Sequence, residues 1–249
     1  MGEIQGKVTD VIIGIDLGKM NDYSAVACIE RVQKYKSWPH EKEHLGEPDY
    51  RLMVLERFPL NTDWVKQAYF AQAIYEEIKA RWSEKKITPD IIIDAAGVGA
   101  PMLDMFKRLI PAAMGCYFTS GHQVNKENGI FYVPKQQVVA TTQIVSQARR
   151  IKFGQNIPDK EALKVEMLNF SYKINQETGY VSFEHGKDSQ KDDQVLAIAI
   201  ALWFGEKVCN RTDMAAAFAL GKIIRSGCSG RSNIGDWKEP EPEPINWVD

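Results

Sequence analysis

The sequence predicts an α/β domain: a mixed five-stranded sheet flanked by helices, with an extra β-hairpin before the last core helix. Three observations predict it. Two short runs, V-I-I-G-I-D-L-G at 11–18 and I-I-I-D at 91–94, read as strands buried on both faces, and each carries a carboxylate at its end. The stretch between them, 63–82, repeats apolar residues at helical spacing. The run Q-V-L-A-I-A-I-A-L-W-F at 194–204 is apolar nearly all round and long enough for a buried helix.

In the first strand Asp16 is the anomaly. A carboxylate beside Ile15 and Leu17 costs several kcal/mol if it is buried and unpaired. Gly18 then leaves room for a ligand or backbone to approach. After the polar turn 19–23, Ser24 to Val32 alternates as a second strand. Residues 33–49 are charged and contain Pro39, Gly46 and Pro48, which predicts a long solvated loop holding His40 and His44. Tyr50 to Phe58 is the third strand, stopped by Pro59.

Asn61 or Thr62 caps the helix that follows, whose buried face is Trp64, Ala68, Ala71, Ile74, Tyr75 and Ile78. Asp94 closes the fourth strand before the small-residue turn 95–99, and Pro101 sits in the first turn of a helix to Leu109. Met114 to Phe118 is the fifth strand, and 119–133 reads as a loop. Pro134 or Lys135 opens a helix to about Lys152, and Pro158 opens another to about Leu168. Phe170–Ile174 and Tyr180–Glu184 flank N-Q-E-T-G, a hairpin signal with Gly179 at its turn. The domain is expected over 1–208. In the extension 209–249, a short helix over 214–224 precedes a Glu/Pro-rich, solvated tail in which Trp247 stays exposed.

A chain of 249 residues holds one sizeable core plus a tail. The formal net charge of -2 excludes a uniformly basic surface but leaves room for a local basic face. No apolar run approaches the ~20 residues that span a bilayer, and the first residues lack a signal-peptide core. Cys28, Cys116, Cys209 and Cys228 form no C-x-x-C pair, which argues against structural zinc and for reduced thiols in a cytoplasm.

Three acidic sites carry the chemistry: Asp16, Asp94, and Asp192-Asp193 at the start of the last buried helix. If the first and fourth strands are parallel neighbours, Asp16 and Asp94 emerge from adjacent carboxyl ends, where α/β sheets form ligand sites. Converging carboxylates repel and need a compensating cation, for which hard Mg²⁺ or Mn²⁺ is the natural choice. Two such ions about 3.5–4 Å apart can activate water and stabilise a leaving oxygen in phosphodiester cleavage. Each acid also has a plainer role, Asp94 as a turn residue and Asp192-Asp193 as a favourable helix start.

The element order, together with G-I-D-L-G at 14–18, I-I-I-D-A-A-G-V-G at 91–99 and K-D-D-Q-V-L-A-I-A-I-A at 191–201, resembles the ribonuclease H-like nuclease domain of phage terminase large subunits over residues 8–206. The resemblance implies a metal-dependent endonuclease that cuts concatemeric double-stranded DNA during genome packaging. Its three metal-binding acids map to Asp16, Asp94 and Asp193, with Asp192 auxiliary and Mg²⁺ or Mn²⁺ as a pair of ions. Two positions depart from relatives: Lys191 stands where His often precedes the paired aspartates, and Leu196 where related resolvases carry another acid. No G-x-x-x-x-G-K-[ST] is present, so a separate packaging ATPase, small terminase or portal is the implied partner.

Candidate phosphate contacts are Arg149, Arg150 and Lys152 at the end of one helix, with Lys135, Lys187 and Lys191 near the acids. Other readings stay open on the sequence: a Holliday-junction resolvase of the same fold, an actin-like phosphate-binding protein, and a non-catalytic assembly module.

Overall fold

The chain opens with a long antiparallel ribbon. β1 (Glu3–Asp16) pairs with β2 (Ala25–Trp38) from Glu3 opposite Ser37 to Asp16 opposite Ala25, with a bulge between Val8 and Asp10. The computed structural model describes residues 3–18, 23–38, 41–44, 46–96, 100–158, 160–170, 173–174, 181–182 and 192–209. The other edge of β2 takes β3 (Glu41–His44) and β4 (Asp49–Arg57), both antiparallel to it. α1 (Trp64–Arg81) then leads to β5 (Asp90–Asp94), which pairs parallel with the carboxyl end of β1. α2 (Ala100–Leu109) leads to β6 (Ala113–Thr119), parallel to β5.

The expected five strands thus form the centre of the sheet in the order β4-β2-β1-β5-β6. β7 (Asn125–Glu127) and β8 (Ile130–Pro134) extend one side, and β9 (Ile151–Phe153) the other, giving nine strands in this sheet among the described residues. Two stretches expected as loops are therefore strands. Residues 33–38 continue β2 without the apolar alternation that marks a half-buried strand. Residues 125–134 form a hairpin around Asn128-Gly129, whose φ values of 50° and 73° suit the tight turns favoured between twisted strands.

The sheet is covered on both faces. α1 and α2 pack on one, against Val11, Ile13, Ile15, Ile91 and Ile93. α3 (Lys135–Gln147), α4 (Lys160–Asn169) and α5 (Asp193–Phe204) cover the other, where Ile12, Ala25, Ile92 and Cys116 point. α5 lies between the sheet and α3 and α4, which is why it is apolar on every side. The α1 face is close to expectation: Ala68, Ala71, Ile74, Tyr75 and Ile78 are buried, joined by Gln67, while Trp64 is half-buried. α3 is shorter than expected. Arg149, with φ of 54°, turns the chain out of the helix, and the residues beyond it enter β9.

β10 (Lys173–Ile174) and β11 (Val181–Ser182) pair antiparallel where the sequence signals a hairpin, and its turn lies outside the described residues. So do His40, Lys187, Lys191, Cys228, the 214–224 helix, the Glu/Pro tail and Trp247. Cys28, Cys116 and Cys209 are buried free thiols. No helix among the described residues is long and apolar enough to cross a membrane.

Candidate active site

One row of residues crosses the sheet at the carboxyl ends of its parallel strands. Register places Cys116 beside Asp94, Asp94 beside Asp16, Asp16 beside Ala25, and Ala25 beside Arg57. In-register neighbours point to the same face. Cys116 and Ala25 belong to the core under α5, so Asp16, Asp94 and Arg57 face α5 as well. The alternation of β1 agrees: Ile12, Gly14 and Asp16 share that face, while Ile13 and Ile15 pack on α1 and α2.

α5 brings the third acid. Gly14 has no side chain where α5 crosses β1, and a methyl group there would run into the Ala197 carbonyl. The helix therefore lies directly on the strand, and Asp193, one turn before Ala197, reaches the row. Asp192 takes the N-cap position without a side-chain capping bond, and its carbonyl accepts from the Leu196 N–H at 2.7 Å.

Asp16, Asp94 and Asp193 are all buried, at 8, 6 and 8 % exposure, which is unusual for carboxylates. Burial, and then the charges of Asp94, Asp193 and Asp192, push the Asp16 carboxyl well above the usual carboxylate range, and Lys135 offsets part of this. Asp94 is pushed up to about 6 by burial, against a hydrogen bond from the Ala96 N–H and the charge of Lys135. That bond, at 2.9 Å to Oδ1, is the turn-residue role the sequence allowed, and it coexists with the acidic site. A buried set of repelling hard oxygens is the donor set that a divalent cation fits.

Strand order and direction decide the fold: an antiparallel β1-β2-β4 unit, continued in parallel by β5 and β6, with helices on both faces. This is the mixed α/β sheet flanked by helices that the sequence predicts. No family model matches the chain, and no curated protein does. Among solved structures it is similar to the human cytomegalovirus terminase nuclease domain, soaked in Mn. That match has 14% identity and a TM-score of 0.45, and covers 79% of this chain and 84% of that one. It is also similar to the large terminase nuclease domain of bacteriophage SPP1, with bound Mn. There the identity is 12% and the TM-score 0.43, over 81% of this chain and 89% of that one.

The candidate phosphate contacts separate on this sheet. Lys135 follows β8 at the carboxyl end, near the acids, with its Nζ 5.7 Å from the centre of the Phe118 ring. Arg149, Arg150 and Lys152 lie at the opposite end, because Lys152 pairs with Arg51 near the start of β4. Arg150 is a correction: it is buried rather than presented to a ligand. Its guanidinium donates to the Pro48 carbonyl and to Glu206 Oε1, both at 2.8 Å, and pairs with Glu47 at 2.8 Å. The sequence predicts α3 through to Lys152, which would put the 149–152 charges at a helix end, but the helix stops at Gln147.

Sequence reasoning missed Arg57, which closes the row on the far side from Cys116. Its Nε lies 3.9 Å from Asp193 Oδ2 and its Nη2 3.9 Å from Glu166 Oε2. The signal was there: Arg57 is two residues from Leu55, so it points to the same face.

A second group with ligating atoms within 4.8 Å of one another, Asp10, Asp90 and Cys209, lies at the amino end of β5 beside the middle of β1. Asp10 there is already held by Arg31 Nη1 at 2.9 Å and the Thr9 hydroxyl at 2.7 Å. The acids at the carboxyl end are spread more widely than this group.

Proposed function

We propose that the protein is a metal-dependent endonuclease that hydrolyses phosphodiester bonds of double-stranded DNA at the carboxyl end of its sheet. One observation carries this reading: two strands and a helix deliver three buried, mutually repelling carboxylates to one face, with a lysine beside them. Asp16, Asp94 and Asp193 would hold the ions, with Asp192 at the rim. Bound there, Mg²⁺ or Mn²⁺ would supply Lewis-acid charge that makes a water nucleophilic near neutral pH and stabilises the leaving oxygen.

The chain's own contribution is geometry. Asp16 and Asp94 sit on neighbouring strands whose backbones fix their separation. Asp193 closes the set from α5, and the buried surroundings strengthen each charge interaction. Lys135, with Lys187 and Lys191, would hold phosphates of the DNA backbone. The setting we infer is genome packaging in a host cytoplasm, with a separate ATPase, small terminase or portal supplying translocation and placement.

The test is cleavage of plasmid DNA in Mn²⁺ by the wild-type chain and by Asp16→Ala and Asp193→Ala. Loss of cleavage in both variants, with folding intact, is the expected result. Unchanged cleavage sinks the reading and favours an assembly module. Comparing linear duplex with four-way junctions separates a packaging nuclease from a junction resolvase.

A further inference from the structure

Two of the three acids are fixed by their backbones. Asp16 and Asp94 belong to paired strands, and the Ala96 N–H holds Asp94 further. Asp193 stands instead in the first turn of a helix, where its side chain depends on neighbours for orientation. We infer that Arg57 is the positioning residue for Asp193, an inference that rests on the nuclease reading above.

Arg57 ends β4, with its backbone pinned by pairing to Ala25 and by the Phe58 N–H bond to the Ser24 carbonyl at 2.9 Å. Its guanidinium reaches Asp193 on α5 with Nε and Glu166 on α4 with Nη2, both at 3.9 Å. The ring of Tyr23 lies 5.4 Å from the guanidinium carbon. Both contacts are ion pairs longer than hydrogen bonds, and between two carboxylates a planar fork favours one orientation in a way that a flexible ammonium does not. Glu166 also settles the charge problem. An unpaired cation beside Asp193 would repel a divalent ion, whereas the Arg57–Glu166 pair is neutral overall. Asp193 is thus oriented without losing its pull on metal.

The test titrates Mn²⁺ calorimetrically into the full chain as wild type, Arg57→Gln, Arg57→Lys and Glu166→Gln, and measures kcat and KM for DNA cleavage alongside. Removing a nearby positive charge alone would tighten Mn²⁺ binding. Lost positioning weakens it, by ~10-fold as for other groups that orient metal ligands. The expected result is weaker Mn²⁺ binding and lower kcat in Arg57→Gln, partial recovery in Arg57→Lys, and little change in KM for DNA. Glu166→Gln should move the same way by less, and Arg57→Lys, which keeps the charge and loses the planar fork, decides the matter should Arg57→Gln not fold. Unchanged or tighter Mn²⁺ binding overturns the inference. So does a defect confined to KM and to salt dependence, which would make Arg57 a phosphate contact. If the wild-type chain binds no Mn²⁺ the nuclease reading itself falls; if wild type binds and Arg57→Gln binds equally, only the role of Arg57 falls.

Discussion

Gly14 of β1 lies directly under the Ala197 carbonyl of α5, and Ala201 Cβ would sit 3.1 Å from a methyl group placed on Gly14. This contact sets how close the helix comes to the strand, and therefore whether Asp193 reaches Asp16. Gly14→Ala should cost about 1–3 kcal/mol through overpacking against backbone that cannot step aside. It should also weaken Mn²⁺ binding, because α5 must lift or slide. Gly121→Ala is the control: its methyl would meet only the Thr119 hydroxyl, at 3.9 Å. Urea melts and Mn²⁺ titrations of the two variants check this, and equal stability of both would refute it.

The buried acids at the carboxyl end cost the fold stability. At neutral pH burial disfavours the charged form of Asp94, pushed up to about 6, and burial and then the neighbouring acids disfavour that of Asp16, pushed well above the ordinary range. Asp94→Asn removes the charge and retains an oxygen for the Ala96 N–H. In EDTA at pH 7.5 it should stabilise the protein by on the order of 1–3 kcal/mol. Saturating Mn²⁺ should reverse the order, since binding stabilises only a chain that can hold the ion. Thermal melts in the two conditions provide the check. An Asn variant that is less stable in EDTA would show that the cost of burying the Asp94 charge does not dominate the site.

Much of this was legible in the sequence, for reasons that differ by element. The β-branched runs at 11–16 and 91–94 are strands because both faces are covered, so their continuous apolar character marked them without alternation. The apolar belt at 194–204 was readable as a helix from its length alone. The polar ends of the β1-β2 ribbon carried no such signal, and the 125–134 hairpin announced itself only through Asn128-Gly129. Arg150 shows the limit of reading charge along the chain. Its partners Glu47, Pro48 and Glu206 come from segments far away in sequence, so nothing local distinguished a buried ion pair from a basic surface. The face of Arg57 follows from its spacing to Leu55, but its partners Glu166 and Asp193 meet it only through the fold.

The end of α5 should give stability a defined pH dependence. Burial pushes the Glu206 carboxyl up, but hydrogen bonds from Arg150 and from the Tyr50 hydroxyl outweigh it, so its net shift is downward. A depressed carboxyl contributes stability above its unfolded value and loses it as pH falls through its folded value. Glu206→Gln should therefore be less stable than wild type at pH 7, by about 1–3 kcal/mol for a charged hydrogen-bonded group. That gap should narrow as pH falls below about 4. Urea denaturation from pH 7 to pH 3 reads it directly, and a gap independent of pH would exclude ionisation as its source.

Lys135 and Arg150 should fail in opposite ways. Lys135 stands beside the acids at the carboxyl end, and its charge already acts on Asp16 and Asp94. Lys135→Ala should lower DNA affinity for every sequence alike and reduce the slope of log affinity against log salt by about 1. Arg150 lies at the other end of the sheet, buried against Glu206. Arg150→Ala leaves that carboxylate without its cation and should cost about 3 kcal/mol or more in stability. Its salt slope, measured on the folded fraction, should match wild type. Both slopes come from one set of binding titrations. A reduced slope in Arg150→Ala with an unchanged one in Lys135→Ala would move the DNA path to the amino end of the sheet, away from the three acids.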